Sequence, residues 1–307
     1  MAREIRLAKT GLDLPRNTSG NRKISWFNST INDLSRVSST GASPLFTRNM
    51  EHHSVYFITA SELMKSRSNS LKLPTGSKAL DAILHGGYRE GSLTEISGPS
   101  GSGKTQLVHQ ACVNLLQFNL STNAKFRALF IDTEGTFRPE RLLQMAIANG
   151  MNVKNVLRDI IYARVYNFSH QIVVIEKARD IIKEQGVKLL VVDSIINHLR
   201  AEYGITGTQL VRRQQLLNVH LHQLLQLAGN FGMITIITNQ VMVDLSGVAI
   251  NKVKPVGGNI MAHGCAYRLM VGKNRGRSRV AELIHAPDLP QDRAIYYISE
   301  QGIRDSC

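Results

Sequence analysis

The sequence predicts an α/β fold in which a mostly parallel sheet is covered by helices on both faces. From about residue 75, nearly continuous runs of Val, Ile, Leu and Phe alternate with longer stretches of helical periodicity, which is the pattern of βαβ units. Central parallel strands have this apolar composition because helices bury both of their faces. After Gly264 short strand candidates follow one another across Gly- and Pro-containing turns, which indicates an antiparallel extension of the same sheet.

The individual elements can be located along the chain. Four apolar runs are predicted as parallel strands: Ser92–Ser97, Arg127–Ile131, Lys188–Asp193 and Met233–Thr238. Four stretches with helical periodicity are predicted as the covering helices: about Lys104–Phe118, Pro139–Asn149, Phe168–Gln185 and Gln209–Asn230. The antiparallel extension is predicted to contain three strands: Cys265–Lys273, Arg279–His285 and Ala294–Ser299.

Length, charge and cysteine usage limit the class of protein. The 307 residues are enough for one large domain with an appendage, and the net charge of +14 favours a polyanionic partner. Three widely spaced cysteines fit neither a disulfide framework nor a zinc site. Since no apolar run reaches about 18 residues and the N-terminus lacks a hydrophobic signal core, we expect an intracellular protein that is not secreted and has no membrane partner.

The first 50 residues differ in composition from the rest. They are rich in Ser, Thr, Asn and Gly, and they carry eight Lys or Arg against three Asp or Glu. Such a composition buries too little apolar surface to offset the entropy of ordering, so residues 1–50 are predicted to be a basic, disordered arm. A solvated tail without a specific role and a mitochondrial targeting sequence are the alternatives.

A phosphate-binding motif follows the first predicted strand. Eight residues match the pattern GxxxxGK[ST] and open the next helix: Gly98, Pro99, Ser100, Gly101, Ser102, Gly103, Lys104 and Thr105. Glycines let backbone N–H groups turn towards phosphate oxygens at a helix N-terminus. Lys104 would reach the β and γ phosphates and Thr105 would bind Mg²⁺. The motif therefore predicts a site for ATP with Mg²⁺, to which we add the adjoining Gln106.

Two carboxylates follow the neighbouring strands. Asp193 ends an apolar strand at the sheet edge where α/β folds bind ligands, and is the candidate holder of Mg²⁺. Glu134 lies in an Asp-Thr-Glu-Gly turn, where it could orient and deprotonate the water that attacks the γ phosphate. The alternative is that Glu134 only caps the helix whose first turn is marked by Pro139.

A polar residue and two long loops complete this edge. Gln240 follows the strand Met233–Thr238 and could hydrogen-bond the γ phosphate. Loops are predicted at 198–209 and 241–258, and residues 241–280 carry seven Lys or Arg against one acid. Basic loops beside a nucleotide sensor suggest sequence-independent contacts with phosphates, whereas a solvated charged face is the alternative.

These motifs together resemble the RecA/RadA-type homologous recombinases, the strand-exchange ATPases of archaea and eukaryotes. The similarity extends from about Phe57 to Asp305. Six motifs carry it: GSGKTQL (101–107), FIDTEGTFRPERL (130–142), LLVVDS (189–194), ITNQV (237–241), GGNIMAH (257–263) and QGIRD (301–305). The resemblance implies a RecA-like ATPase core with ATP and Mg²⁺ as cofactors, here residues 75–307.

The resemblance also implies roles for residues at matching positions. Glu134 would be the catalytic base, acting with Lys104 and Gln240. Arg141 would stack against adenine, and His263 would sense the γ phosphate across a subunit boundary. The loops 198–209 and 241–258 would bind DNA. The implied DNA contacts are Arg200, Tyr203, Arg213, Leu245, Lys252, Lys254, Gly257, Gly258 and Asn259.

A segment before the ATPase core resembles the family's polymerisation motif. Phe57-Ile58-Thr59-Ala60 matches FxxA, in which an extended segment adds a strand to a neighbour's sheet and buries its Phe and Ala. Residues 51–74 are accordingly interpreted as polymerisation segment and linker. Taken alone, the same tetrapeptide would be read as core packing before a helix.

The sequence departs from the family pattern at several positions. A helix-hairpin-helix DNA-binding domain is not recognisable in residues 1–50, Thr206 stands where a DNA-contacting Arg is expected, and the second loop is short. His285 replaces an Asp of the segment that closes over a neighbour's nucleotide.

Three functions therefore stay open. The first is a DNA-dependent ATPase that forms ATP-bound filaments on single-stranded DNA and catalyses homologous pairing and strand exchange in recombinational repair or meiosis. The second is a recombinase paralogue that acts as a mediator or assembly subunit, and the third is a hexameric helicase. The expected partners are single- and double-stranded DNA, further copies in helical filaments or rings, and recombination mediators. The expected location is the nucleus in a eukaryote, or the cytoplasm or nucleoid in an archaeon.

Overall fold

A computed structural model describes residues 57–152, 156–204, 206–243 and 253–306. The chain divides into two units, one up to Met64 and one from Lys65 onward. The arm predicted for residues 1–50 lies outside the described residues. No helix in the described ranges is long and apolar enough to cross a membrane.

The described residues form eight helices. They are α1 Ala60–Ser68, α2 Lys78–Ile83, α3 Lys104–Thr122, α4 Pro139–Ala148, α5 Phe168–Gln185, α6 Asn197–Glu202, α7 Gly207–Phe231 and α8 Gly258–Gly264. Helix α1 begins with a capping box, in which the Thr59 hydroxyl accepts from the Glu62 amide and the Glu62 carboxylate accepts from the Thr59 amide at 2.8 Å. The sequence Thr-x-x-Glu thus fixes the start of this helix.

The strands form one large sheet and two small ribbons. The ribbons pair β1 Lys72–Leu73 with β2 Tyr88–Arg89, and β8 Val241–Val243 with β9 Val253–Pro255. The remaining nine strands are β3 Ser92–Ser97, β4 Arg127–Asp132, β5 Ile160–Arg164, β6 Val187–Asp193, β7 Ile234–Asn239, β10 Tyr267–Lys273, β11 Ser278–His285, β12 Arg293–Ser299 and β13 Gly302–Arg304.

The large sheet has the order β13-β12-β11-β10-β3-β7-β6-β4-β5. Pairing is parallel from β10 to β5 and antiparallel from β10 to β13. The strand before the phosphate-binding motif, β3, therefore lies near the centre of the sheet. Registers place Ser97 beside Asn239 and Asp132 beside Asp193, so that the carboxyl ends of four parallel strands meet at one edge.

The two faces of the sheet are buried in two separate hydrophobic clusters. One cluster joins the sheet to α3 and α4, with Leu107, Leu115 and Leu142 fully buried. The other joins it to α5 and α7 through residues such as Phe168 and Leu224. The predicted fold, a mostly parallel sheet with helices on both faces and antiparallel strands towards the C-terminus, is confirmed.

The loop predicted at 198–209 is largely helical, and that prediction is corrected. Helix α6 occupies Asn197–Glu202 and α7 already begins at Gly207, so only a short connection separates them. The reason is local, because residues 197–202 contain neither Gly nor Pro, and the first residue that favours a break is Gly204. Within the loop predicted at 241–258, Val241–Val243 and Val253–Pro255 pair as the β8–β9 ribbon, and residues 244–252 lie outside the described part of the chain.

The end of the second unit is tied back to its beginning. The Asp305 carboxylate accepts hydrogen bonds from the Ser77 hydroxyl at 2.5 Å and from the amides of Lys78 and Ala79 at 2.9 and 3.0 Å. Burial alone would raise the pKa of Asp305, but these donors lower it below its usual value. Asp305 thus provides the first turn of α2 with an acceptor more than 200 residues away in the sequence.

A buried histidine makes the folded chain sensitive to acid. His220 on α7 is fully buried, with Nε2 at 2.9 Å from Gln171 Nε2, and desolvation lowers its pKa to about 4. In the unfolded chain the same imidazole takes up its proton near pH 6.5. The unfolded state therefore binds more protons between about pH 4 and 6.5, and stability falls as the pH drops through that window.

We expect that His220→Gln makes the free energy of unfolding less dependent on pH between 6.5 and 4, by up to about 3 kcal/mol across the window. Urea unfolding followed by circular dichroism at a series of pH values measures this. His222→Gln, the same change at an exposed position two residues away, should retain the wild-type slope. Equal slopes for the wild type and His220→Gln would contradict the assignment.

Candidate nucleotide and nucleic-acid site

A cleft of about 660 Å³ lies at the carboxyl edge of the parallel strands. Five segments of the chain line this cleft: the phosphate-binding motif, the turn after β4, the start of β8, strand β11 and strand β12. The lining residues outside the motif are Gln106, Glu134, Thr136, Gln240, Val241, Arg279 and Ile298. The predicted motif, base and sensor therefore share one cleft.

Two glycines of the motif are required by close packing. A Cβ on Gly98 would collide with the backbone carbonyl oxygen of Val271 on β10. Gly103 has φ +104° and a Cβ there would meet the Ile298 side chain of β12. Strands β10 and β12 thus limit the path of the motif that leads into α3.

Lys104 is held by the motif itself. Its Nζ donates to the carbonyl oxygens of Gly98 and Pro99 at 2.8 and 3.0 Å. Burial lowers the pKa of Lys104, while the carboxylates of Asp193 and Glu134 raise it. An ammonium group with only neutral acceptors is well suited to exchange them for phosphate oxygens.

The predicted magnesium ligands are adjacent. Thr105 Oγ1 donates to Asp193 Oδ2 at 2.8 Å, and the Thr238 hydroxyl donates to the other carboxylate oxygen. Desolvation raises the pKa of Asp193 to about 6, against the effect of these two donors. A hydroxyl and a carboxylate beside a phosphate-binding motif are the hard oxygen donors that Mg²⁺ prefers, so the residues present fit the ion.

Glu134 does not cap a helix. Its Oε1 accepts from Ser194 Oγ at 2.7 Å and from Gln240 Nε2 at 3.0 Å, and α4 has no side-chain cap. The amides of the turn that carries Glu134 are bound instead by the carboxylate of Asp132. The capping alternative is therefore wrong, and the Glu134 carboxylate faces the cleft.

Gln240 connects the cleft with the neighbouring helix. Its Oε1 accepts from Arg200 Nη1 at 2.7 Å, and its backbone carbonyl accepts from the amide of Val256 at 3.0 Å. The preceding residue, Asn239, donates to the buried carboxylate of Glu95 at 2.6 Å and to the carbonyl of Val256 at 2.7 Å. The end of β7 thus holds the returning arm of the second loop against the sheet.

Three of the predicted ATP contacts do not line the cleft: Ser102, which is fully buried within the motif, Arg141 and His263. Arg141 is not among the lining residues, and it donates to Gln106 Oε1 at 2.8 Å and to the carbonyls of Ser299 and Glu300. His263 lies on α8 and lines a second cleft of about 310 Å³ beside α7. Within one chain His263 therefore does not meet the motif, and its predicted role needs a second copy.

The predicted DNA contacts differ in exposure. Arg200, Lys254, Gly258 and Asn259 are exposed, while Tyr203 and Gly257 are half-buried. Arg213 is only 8% exposed, and burial together with Arg200 lowers its pKa. Its neighbour Arg212 is exposed. Leu245 and Lys252 lie outside the described residues.

Among the residues that were not predicted from the sequence, three have contacts or positions that bear on the cleft. Arg279 lines the cleft from β11, and its Nε is buried without a hydrogen-bond partner among the described residues. Ser194 and Thr238 hold the two carboxylates. Ser194 and Thr238 stand next to predicted site residues at strand ends, so their position was a usable signal. Arg279 carried no such signal, because its strand is distant in sequence.

Comparison with known proteins agrees with this geometry. The Rad51 family model matches residues 66–306. The DNA repair and recombination protein RadA of Metallosphaera sedula is 43% identical over 253 residues, which cover 82% of this chain and 78% of the relative. The range 66–306 spans the phosphate-binding motif, the carboxylates and the antiparallel extension, and the resemblance to the RecA/RadA-type recombinases is confirmed. The chain belongs to the Rad51 family and has its RecA-like fold.

Proposed function

We propose that this chain is a DNA-dependent ATPase that forms ATP-bound filaments on single-stranded DNA and catalyses homologous pairing and strand exchange. The observation that carries the proposal is the shared cleft in which Lys104, Glu134 and Gln240 surround the phosphate-binding motif. A relative named for DNA repair and recombination supports it. Chromosomal DNA, in a nucleus or an archaeal nucleoid, is the substrate that such an activity requires.

The residues of the cleft divide the hydrolytic step among them. Glu134 would accept a proton from water, whose oxygen attacks the γ phosphorus as the bond to the bridging oxygen breaks and ADP leaves. Lys104 would balance negative charge on the phosphates. Mg²⁺, when bound, would be held by Thr105 with support from Asp193 and would neutralise further phosphate charge. Arg141 and, from a neighbouring copy, His263 would complete the nucleotide contacts.

DNA binding is proposed at the α6–α7 connection and the β8–β9 ribbon. Arg200 and Lys254 are exposed there, and basic side chains that contact phosphates bind without sequence preference. We propose Arg212 rather than Arg213 as the α7 cation that contacts DNA, since Arg213 is buried. Base pairing would then provide the sequence specificity of strand exchange.

Assembly is proposed through the segment before α1. Phe57 is 94% exposed and Ala60 is exposed, so both side chains are accessible among the described residues. An exposed Phe just before a helix could insert into an apolar pocket on a neighbouring copy. Filaments or rings would follow, and mediator proteins with a similar segment could compete for the same pocket.

The mediator or assembly paralogue is the second candidate. Thr206 in place of the expected Arg favours it, because one phosphate contact of the first DNA segment is missing. Against it, Glu134, Gln240 and Lys104 are all present in the cleft. An assembly subunit would need ATP binding but would not need this complete hydrolytic set.

The role of Glu134 is tested by a pair of variants. Glu134→Gln should lower kcat for ATP by at least about 100-fold, because the general base is lost, while nucleotide-dependent assembly persists. Lys104→Ala should abolish that assembly, because the phosphates lose their principal cation. A phosphate-release assay and light scattering measure the two properties. Wild-type turnover by Glu134→Gln would remove Glu134 from the mechanism.

Two isosteric changes on β7 test the support of Asp193. Thr238→Val removes a donor to this buried carboxylate, so we expect a loss of about 1–3 kcal/mol in unfolding free energy and weaker binding of Mg·ATP. The control is Thr235→Val on the same strand, whose buried hydroxyl has no hydrogen-bond partner among the described residues. Chemical denaturation and titration with a fluorescent ATP analogue check both. Similar losses for the two variants would count against specific support.

Electron microscopy distinguishes the two candidate functions. With single-stranded DNA and a non-hydrolysable ATP analogue, the recombinase should form long, regular filaments, because nucleotide would be clamped between neighbouring copies. Phe57→Glu should shorten them to small oligomers by placing a charge in an apolar pocket. Short oligomers from the wild-type chain would favour the mediator instead.

A further inference from the structure

A continuous line of hydrogen bonds connects an exposed arginine to the proposed base. Arg200 Nη1 donates to Gln240 Oε1 at 2.7 Å, and Gln240 Nε2 donates to Glu134 Oε1 at 3.0 Å. Ser194 Oγ donates to the same carboxylate oxygen at 2.7 Å. The amide of Gln240 thus bridges Arg200 and Glu134.

Arg200 determines which way this amide faces. A guanidinium has only donors, so the group of Gln240 that meets it must be the carbonyl oxygen. The NH₂ group then points in the other direction, towards Glu134. Reversing the amide would set N–H groups against the cation and the carbonyl oxygen against the carboxylate, so each of the two contacts stabilises the other.

The Gln240 amide is a weak hydrogen-bond partner for the Arg200 guanidinium. A neutral amide binds a guanidinium less strongly than a phosphate oxyanion does, because ionised pairs make the stronger hydrogen bonds. The Arg200 side chain is exposed, and the cation of Arg213 is close enough to repel it. A phosphate bound at the exposed Arg200 would also offset the repulsion between Arg200 and the buried guanidinium of Arg213.

We propose that Arg200 is a positioning residue whose guanidinium either holds the Gln240 amide against Glu134 or binds a DNA phosphate. This inference rests on the proposed function and concerns how DNA regulates it. When DNA takes Arg200, the amide of Gln240 can turn, Glu134 is released, and Gln240 can donate to the γ phosphate. Binding of DNA to Arg200 and release of Glu134 as the base then occur together.

Linkage between these contacts gives a test that does not involve ATP. If Gln240 and DNA compete for Arg200, Gln240→Leu should tighten the binding of fluorescein-labelled oligothymidylate in the absence of nucleotide. The expected gain in affinity is about two- to tenfold, which corresponds to one net hydrogen bond. In an Arg200→Gln background, the same Gln240→Leu change should give no gain. Fluorescence anisotropy at low salt measures these affinities, and circular dichroism verifies folding.

ATP turnover provides the second readout. Without DNA, Arg200→Gln should raise kcat about two- to tenfold with little change in KM, so that stimulation by oligothymidylate shrinks. Arg200→Lys, which retains a donor and the charge, should restore part of the restraint. Arg179→Gln, which removes an exposed arginine from α5, is the control for lost charge and should behave like the wild type.

The outcomes separate the inference from the proposed function. A gain from Gln240→Leu that is independent of Arg200, or no gain at all, would overturn the inference while wild-type DNA stimulation leaves the proposed function intact. A basal rate for Arg200→Gln no higher than that of the wild type would overturn it as well. A wild-type chain that neither binds oligothymidylate nor hydrolyses ATP would overturn both.

Discussion

The end of strand β7 is the constraint on which the site depends. Three consecutive side chains there each donate to a carboxylate from a different part of the chain: Thr238 to Asp193, Asn239 to Glu95 and Gln240 to Glu134. Glu95 is fully buried and is balanced by Arg268 at 2.5 Å. One short stretch of backbone therefore positions the proposed magnesium holder, the core ion pair and the proposed base, and a displacement of β7 would disturb all three.

The parallel core could be predicted closely, because buried strands read as continuous apolar runs. Ser92–Ser97 was predicted with its observed bounds, and Phe168–Gln185 likewise. The edge strand Ile160–Arg164 was missed, since half-exposed side chains interrupt its apolar pattern. Most of the helix Asn197–Glu202 was predicted as loop because Gly204 and Gly207 follow soon after it in the sequence. Hydrophobic periodicity thus predicted the buried strands and helices more accurately than the elements at the edge of the domain.

The carboxylates and the phosphate-binding motif were predictable from strand ends, but their partners were not. Nothing in the local sequence pairs Arg200 with Gln240, which lie 40 residues apart, or Glu134 with Ser194, which lie 60 apart. These contacts depend on the order of strands in the sheet, in which β7 lies beside both β3 and β6. The candidate site residues could therefore be predicted from the sequence, whereas the hydrogen bonds that hold them could be identified only from the order of the strands.

The contact between Asp305 and the first turn of α2 has a topological consequence. It joins the residues that follow β13, an edge strand of the sheet, to the first turn of α2 near the start of the second unit. Domains whose ends are neighbours tolerate circular permutation and insertion into other proteins. Circular permutation could therefore introduce new termini elsewhere in this unit without disrupting the sheet.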